Sequence, residues 1–154
     1  MPRSVGQIPL YYNKKAPQSH DYVEMSASPL YPFGYGLSYT SFDYSDLHLS
    51  ALMPRSFEIS FKVRNTGKYD GEEVAQLYLR DEYASVVQPL KQLKHFARFY
   101  LKRGEEREVK FILSEEDFSL VDRNLKKIVE PGTFQIMIGA ASNDIRLQTK
   151  VEIK

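Results

Sequence analysis

FEISFKVR, residues 57–64, alternates apolar and polar side chains without a break. A period of two is typical of a β-strand with one face in the core and one in water, because successive side chains point to opposite sides. The same period recurs in residues 108–113 and, near the end of the chain, in residues 145–153. The pattern therefore predicts three half-buried strands.

Two further runs, EEVAQLYLR (72–80) and GTFQIMIGA (132–140), are apolar on both parities. Such runs are typical of strands in the middle of a sheet. Turn residues separate the strands, and Ser114 followed by acidic residues predicts a single helical turn. We predict an all-β protein, an immunoglobulin-like β-sandwich of about seven or eight strands.

The first 44 residues differ from the rest, because they hold seven of the eleven tyrosines and five of the eight prolines. Proline at this density argues against a helix or a central strand. Tyrosines at this density are too apolar to be left in water. We expect an extended, irregular N-terminal segment that lies across another surface.

Charge and composition exclude several classes of partner. Lys and Arg total 21 against 20 Asp and Glu, so no overall field attracts nucleic acid or an anionic membrane. No apolar run approaches the roughly 20 residues that span a bilayer. Residues 91–110 are basic with interleaved Phe96, Phe99 and Tyr100, but acidic residues dilute the charge and we expect the aromatics to face a core. Neither a nucleic acid nor a membrane is a predicted partner.

The sequence assembles no reactive centre. His20, His48 and His95 lie far apart and outside any metal-binding pattern, and the absence of cysteine excludes thiolate chemistry. Paired glutamates would suit a glycosidase, but each pair falls beside a turn, where solvated charge is common. The GYG run at 34–36 lacks the rest of a phosphate-binding loop, so its glycines are expected to let the chain turn. We predict no catalytic residue, metal or cofactor.

One run, PLYPFGYGLSYTSF (29–42), is specific enough to indicate a family. It resembles the signature that opens the fibronectin type III-like C-terminal domain of glycoside hydrolase family 3, which contains many β-glucosidases and β-xylosidases. The resemblance continues in order through VRNTG (63–67), GEEVAQLYL (71–79), PLKQLK (89–94), LKRGE (101–105), VEPGTF (129–134) and IGAAS (138–142). RSVGQIPLYYN (3–13) is similar to the last strand of the α/β domain that precedes the sandwich in that family.

The resemblance implies a division of the chain. Residues 1–28 would be the tail of the preceding α/β domain with the interdomain linker, and residues 29–154 the fibronectin type III-like sandwich. The start would then lie inside a neighbouring domain, so residues up to about 28 should look structurally orphaned. Family members are retaining hydrolases whose aspartate nucleophile lies in an N-terminal barrel and whose glutamate acid/base usually lies in the α/β domain. No residue here matches either role.

The implied function is a non-catalytic accessory domain that docks and stabilises the catalytic domains of a β-glucosidase-like parent, which would hydrolyse terminal β-glycosidic bonds. Its partners would be the α/β and barrel domains, with a dimer contact as a further option, and its location periplasmic or extracellular. The residues assigned to interdomain packing are Tyr11, Tyr12, Tyr31, Phe33, Tyr35 and Tyr39. Tyr31, Phe33 and Tyr35 are also the candidates for any contact with sugar, although packing is the preferred interpretation.

Two alternatives stay open at this point. A free-standing carbohydrate-binding or adhesion module would use exposed tyrosines as stacking platforms. A small unrelated hydrolase rests only on the presence of Ser, His and Asp somewhere in the chain.

Overall fold

Two antiparallel sheets form the body of the protein in the computed structural model, which describes residues 1–5, 7 and 26–154. A 3₁₀ helix, Glu115–Phe118, follows the fifth strand. The strands are β1 (Phe42–Met53), β2 (Ser56–Asn65), β3 (Gly71–Asp81), β4 (Gln92–Leu101), β5 (Glu106–Leu113), β6 (Leu120–Val121), β7 (Lys127–Ile128), β8 (Gly132–Ala141) and β9 (Asp144–Ile153).

The sheet order is that of a sandwich. One sheet has the order β1-β2-β5 and the other β4-β3-β8-β9, while β6 and β7 form a short separate pair. Seven strands thus make the two large sheets of the part that the structure describes, and the all-β sandwich prediction is confirmed. The half-buried strands predicted from period two are β2, β5 and β9, and the two runs that are apolar on both parities are the central strands β3 and β8.

The core lies between the two sheets and follows the alternation in the sequence. In β2, Ile59, Phe61 and Val63 are almost completely buried, while in β8 Ile136 and Ile138 face them from the other sheet. Burying a side chain of this size contributes about 1.5–3 kcal/mol. The 3₁₀ helix packs on the same core through Phe118 and begins with a capping box at Ser114, which confirms the single helical turn predicted there.

The outer face of the three-stranded sheet is charged. Lys62 lies 2.9 Å from Asp46 and 3.7 Å from Glu106, and Lys110 lies 3.5 Å from Glu58. These side chains are all partly exposed, so each ion pair contributes little to stability. The arrangement is that of a sheet face in contact with water.

The outer face of the four-stranded sheet is different, because it holds buried residues that point away from the core. Gln76, Tyr78 and Met137 are 5%, 2% and 4% exposed. Tyr78 and Met137 are direct cross-strand partners of β3 and β8. Residues 29–41, which we call the strap, lie over this face at Gly34.

The first residues of β1 carry no clear strand pattern in the sequence. Period two is visible only from Leu47, yet β1 begins at Phe42. A bulge between Ser45 and His48 explains the difference, since the extra residue moves the inward-facing side chains from even to odd positions. An alternation that changes parity within one strand does not look like a single strand in the sequence.

The expectation that all three aromatics of residues 91–110 face a core is wrong for two of them. Phe99 is buried, but Phe96 and Tyr100 are 67% and 52% exposed. All three lie on β4, and a strand can turn only one parity toward the core.

The boundary between residues 1–28 and 29–154 stays a prediction. In the described part of the N-terminal segment, Arg3 Nε donates to Ser28 O at 3.0 Å and Leu30 N donates to Met1 O at 3.0 Å. Gln7 is 4% exposed and its amide donates to Ser26 O and Ser28 O.

Candidate docking surface

A tight turn shapes the middle of the strap. Tyr35 N donates to Pro32 O at 3.2 Å, and Gly34 has a φ of +77°, as the third position of a type II turn requires. A Cβ on Gly34 would overlap the Gln76 side-chain amide. The expectation that a glycine lets the chain turn here is confirmed by the positive φ of Gly34. The close approach of Gly34 to β3 is a second reason why this residue is glycine.

Gln76 fixes the strap to the sheet. Its side-chain Nε2 donates to Gly34 O at 3.3 Å and to Ala140 O at 2.5 Å, while its Oε1 accepts from the Tyr78 hydroxyl at 2.5 Å. A buried amide is costly unless its polar atoms are bonded, and here both the donor and the acceptor have partners. One side chain therefore joins the strap, β3 and the end of β8.

A second set of contacts holds the strap beside this point. Ser142 N, in the turn after β8, donates to Phe33 O at 2.9 Å. The Lys91 Nζ donates in turn to Ser142 O at 2.6 Å. The strap is thus bonded at Gly34 to β3 and at Phe33 to the turn after β8.

Asn65 anchors the end of the strap and is completely buried. Its Oδ1 accepts from Thr40 Oγ1 at 2.6 Å and from Gly67 N at 3.1 Å, and its Nδ2 donates to Tyr69 O at 2.8 Å and Leu101 O at 3.1 Å. The sequence assigned Asn65 only to a turn. Asn65 follows Val63 by two residues and therefore lies on the side of β2 that faces the core, and this position was the available signal.

The strap presents a row of apolar side chains on its outer side. The aromatic ring centroids of Tyr31 and Tyr35 lie 5.2 Å apart, so the turn brings these two predicted packing residues together with Phe33 between them in the chain. Tyr39 lies beyond the turn and is 96% exposed. Tyr11 and Tyr12 lie outside the described residues. The strap patch consists of Leu30, Tyr31, Phe33, Tyr35, Leu37 and Tyr39, which are 43–96% exposed.

Half-exposed aromatic rings on a segment that is held by hydrogen bonds indicate a surface for contact with another domain or protein. Exposed apolar side chains that stand singly are normal on a monomer, but contiguous ones mark interaction sites. The strap patch has no charged member, and the strap beneath it is fixed by Gln76 and Asn65. The arrangement is suited to packing rather than to bond cleavage.

Four of the six paired glutamates form ion pairs instead of an acid/base pair. Glu72 is bonded to Arg98, Glu106 to Lys62, Glu115 to Arg55 and Glu116 to Lys127. All of these carboxylates are exposed or half-exposed at the surface. Each charge is thus engaged with a neighbouring cation.

The two histidines of the described residues, His48 and His95, lie on different sheets. His48 is exposed on β1, and the His95 ring stacks on Phe111 with its Nε2 3.5 Å from Asp117 Oδ2. His20 lies outside the described residues. Within residues 1–5, 7 and 26–154, no three His, Cys, Asp or Glu residues are grouped as a metal would require. The same residues contain no helix long and apolar enough to cross a membrane.

A partly buried carboxyl, that of Glu73 on β3, lies close to the place where the edge strands β1 and β9 meet. Burial raises the pKa of Glu73, and the Val74 backbone N–H donates to its Oε1 at 2.7 Å. The Arg146 guanidinium lies 5.7 Å from the Tyr44 ring centroid and donates to Phe42 O at 3.0 Å. Burial likewise raises the pKa of Tyr44, so its hydroxyl keeps its proton. The cluster joins the two sheets at one edge of the sandwich.

Residues 73–142 match the family model described as a fibronectin type III-like domain. A β-xylosidase from Formosa agariphila is 43% identical over 96% of this chain, and a periplasmic β-glucosidase from Salmonella typhimurium is 42% identical over 94%. This chain covers 21% of each of those proteins. It therefore spans about one fifth of the length of the curated relatives that it matches.

Solved structures of β-glucosidases likewise match nearly the whole of this chain. A β-glucosidase from Erythrobacter marinus superposes with a TM-score of 0.91 at 39% identity, covering 100% of this chain and 21% of that one. A β-glucosidase from Listeria innocua in complex with glucose superposes with a TM-score of 0.86 at 35% identity, covering 99% and 23%. The resemblance seen in the sequence motifs is thus confirmed over nearly the whole chain.

Proposed function

This chain carries a fibronectin type III-like domain of the glycoside hydrolase family 3 type, and from that premise we propose that it is a structural, non-catalytic domain of a longer β-glycosidase. In that protein it docks on the catalytic domains and stabilises them. The observation that carries the proposal is the strap patch, a row of exposed apolar side chains held on a rigid support.

The proposed parent hydrolyses terminal β-glycosidic bonds. Support comes from the names of the relatives, which are β-xylosidases and β-glucosidases. One of those relatives is named periplasmic, which supports a location outside the cytoplasm for the parent as well. The packing residues Tyr31, Phe33, Tyr35 and Tyr39 contact the catalytic domains in this proposal, and none of them takes part in the reaction.

The non-catalytic role is tested with the purified chain. We expect no hydrolysis of aryl β-glucosides or aryl β-xylosides above that of a mock purification. Turnover that follows the chain through successive columns would overturn the proposal. Saturable binding of cello- or xylo-oligosaccharides would instead favour the free-standing carbohydrate-binding module.

The structural role is tested in the longer protein. We expect removal of residues 29–154 to lower its yield of folded enzyme and its thermal unfolding temperature, because the surface of the catalytic domains that the strap patch covers becomes exposed to water. Equal stability and activity with and without these residues would contradict the proposal. A reading frame that encodes no further domain would contradict it as well.

A further inference from the structure

A second row of aromatic side chains lies on the outer face of the four-stranded sheet. Phe96, Arg98 and Tyr100 occupy alternate positions of β4 and point away from the core. β4 is an edge strand, so the row runs along one border of the sheet. Phe96 and Tyr100 are 67% and 52% exposed, although they lie in a regular strand rather than in a loop.

The polar atoms of this row already have partners within the protein. The Tyr100 hydroxyl donates to Asp70 Oδ2 at 2.9 Å, and Arg98 Nε donates to Glu72 Oε2 at 3.1 Å. The pairing neutralises the one cation of the row and fixes the Tyr100 ring. Aromatic ring surface remains for a partner, whereas an anionic ligand would find no free charge in this row.

The row is continuous with the strap patch. Phe96 is the direct cross-strand partner of Gln76, and side chains of such partners stand about 4.5–5.5 Å apart on one face of a sheet. Gln76 is itself bonded to Gly34 of the strap. The strap turn and Phe96 are therefore neighbours, and the two groups of aromatic side chains form one surface.

Neither outer face of the sandwich is apolar throughout, because β9 of the four-stranded sheet also carries ion pairs, with Arg146 bonded to Asp144 and Lys150 to Glu82. Ion pairs of Lys62 and Lys110 cross the outer face of the three-stranded sheet, where Ile112 on β5 is a large apolar side chain that is 55% exposed. Single exposed residues of this kind need no partner, but a contiguous apolar surface marks an interface. The exposed apolar side chains of the strap and β4 lie together, and this row marks that side of the molecule for burial.

The length of the relatives indicates what covers that side. They are about five times as long as this chain, so the partner within reach is the remainder of one polypeptide. A linked partner binds at a high effective concentration, and interfaces between domains of one chain are typically about 600–1,500 Å². A surface made of the strap and one edge strand is suited to a partner of this kind.

We propose that the strap patch together with Phe96 and Tyr100 forms a single interface with the remaining domains of the longer protein, while the outer face of the three-stranded sheet stays in water. The inference rests on the proposed function. It adds which side of the sandwich docks, and it places Phe96 and Tyr100, which the sequence had assigned to a core, in the interface.

The test measures association of two separately produced polypeptides, this chain and the remainder of the longer protein, by titration calorimetry. The variant F96S/Y100S carries the change, and Ile112→Ser on the opposite sheet is the matched control because its exposure is similar. All three positions are exposed, so thermal unfolding is expected to show intact folds. We expect the double variant to bind at least tenfold more weakly than the wild type, and the control to bind within twofold of it.

Each other result has a definite meaning. If the wild-type chain binds and the double variant binds equally well, or if only Ile112→Ser weakens binding, the assigned side is wrong while docking itself stands. If the wild-type chain does not bind the remainder at all, the proposed function fails and this inference fails with it. Self-association or binding of xylo-oligosaccharides that the double variant abolishes, without binding to the remainder, would assign the surface to a second copy or to a glycan.

Discussion

At the scale of single residues, two amides and one glycine determine where the strap lies. Gln76 and Asn65 are buried polar side chains with every bonding group engaged, and each joins the strap to strand ends that are distant in sequence. Buried amides of this kind specify one arrangement, because any other leaves their polar atoms without partners. Gly34 contributes by lacking a side chain where Gln76 needs space.

Gly34→Ala should loosen the strap. The new methyl group overlaps the Gln76 amide, and a φ of +77° is strained for alanine, so we expect a loss of about 1–3 kcal/mol in the free energy of unfolding. Amide hydrogen exchange in residues 30–36 should rise. Gly36→Ala is the matched control, since nothing lies within 4 Å of its added Cβ. Equal exchange in the two variants would count against the arrangement.

Asn65→Ala should be among the most damaging substitutions of a polar residue. It leaves Thr40, Gly67 and two backbone carbonyls without their partner in the protein interior, which is expected to cost about 3 kcal/mol or more. Urea unfolding measures the change. Asn143→Ala, at an exposed position of the turn between β8 and β9, should alter stability by less than about 0.5 kcal/mol.

Glu73 gives the protein a pH dependence of defined sign. Burial raises its pKa in the folded state, so the folded protein holds this proton at a pH where the unfolded chain has released it. The charge therefore destabilises the fold above the folded-state pKa, and the cost vanishes as the pH falls below the unfolded value. We expect Glu73→Gln to raise the unfolding temperature at pH 7, with a smaller gain at pH 4. A gain that grows on acidification would refute this reasoning.

At the scale of elements, the strap acts as a cover for one sheet. Tyr78 and Met137 point outward from the sandwich yet are almost fully buried, and the hydroxyl of Tyr78 is bonded to the same amide that holds Gly34. A β-sheet that is apolar on both faces needs another layer packed against each face. The strap supplies part of the second layer without regular structure of its own.

Removal of residues 1–37 should therefore expose the outer face of the four-stranded sheet. We expect the shortened chain to keep its β-sheet circular dichroism, while Met137 becomes reactive toward peroxide. Met53 is the internal reference, because it is 68% exposed and should oxidise at the same rate in both chains. Mass spectrometry of the peptides gives both rates. Continued protection of Met137 would show that the strap is not its cover.

Most of the sheet could be predicted from the sequence, because β2, β5 and β9 keep one parity toward the core and β3 and β8 have apolar residues on both parities. Elements that depend on contacts between residues far apart in the sequence could not be predicted. The parity change in β1 hides its first residues, and the outward side of β4 carries aromatics that resemble core residues in the sequence. The packing role of the strap was inferred from tyrosine density, but its anchors were not.

At the scale of the whole molecule, the strap patch differs from the charged surface of both sheets. Charge is balanced overall, with 21 Lys and Arg against 20 Asp and Glu, and ion pairs occur on both sheets: Lys62 with Asp46 on the three-stranded sheet, and Arg98 with Glu72 and Lys150 with Glu82 on the four-stranded sheet. The strap patch contains no charged side chain. Association through the apolar side is then driven by the removal of apolar surface from water, which is not screened by salt.

Association with the remainder of the longer protein should accordingly be insensitive to ionic strength. We expect the dissociation constant to change by less than about twofold between 0.1 and 0.5 M NaCl, because a shorter Debye length weakens only charge interactions. Calorimetric titrations at the two salt concentrations measure it. Weakening by tenfold or more would indicate a charged interface and would exclude the apolar side as the main contact.

The bulge in β1 has a consequence for how the molecule behaves at high concentration. β1 is one of the two edge strands of the three-stranded sheet, and an edge strand is a template on which another chain can add a strand. Asp46, with a φ of +54°, interrupts that edge and places a carboxylate beside Lys62. The irregularity that concealed the strand in the sequence thus also protects the protein from growing into aggregated sheets.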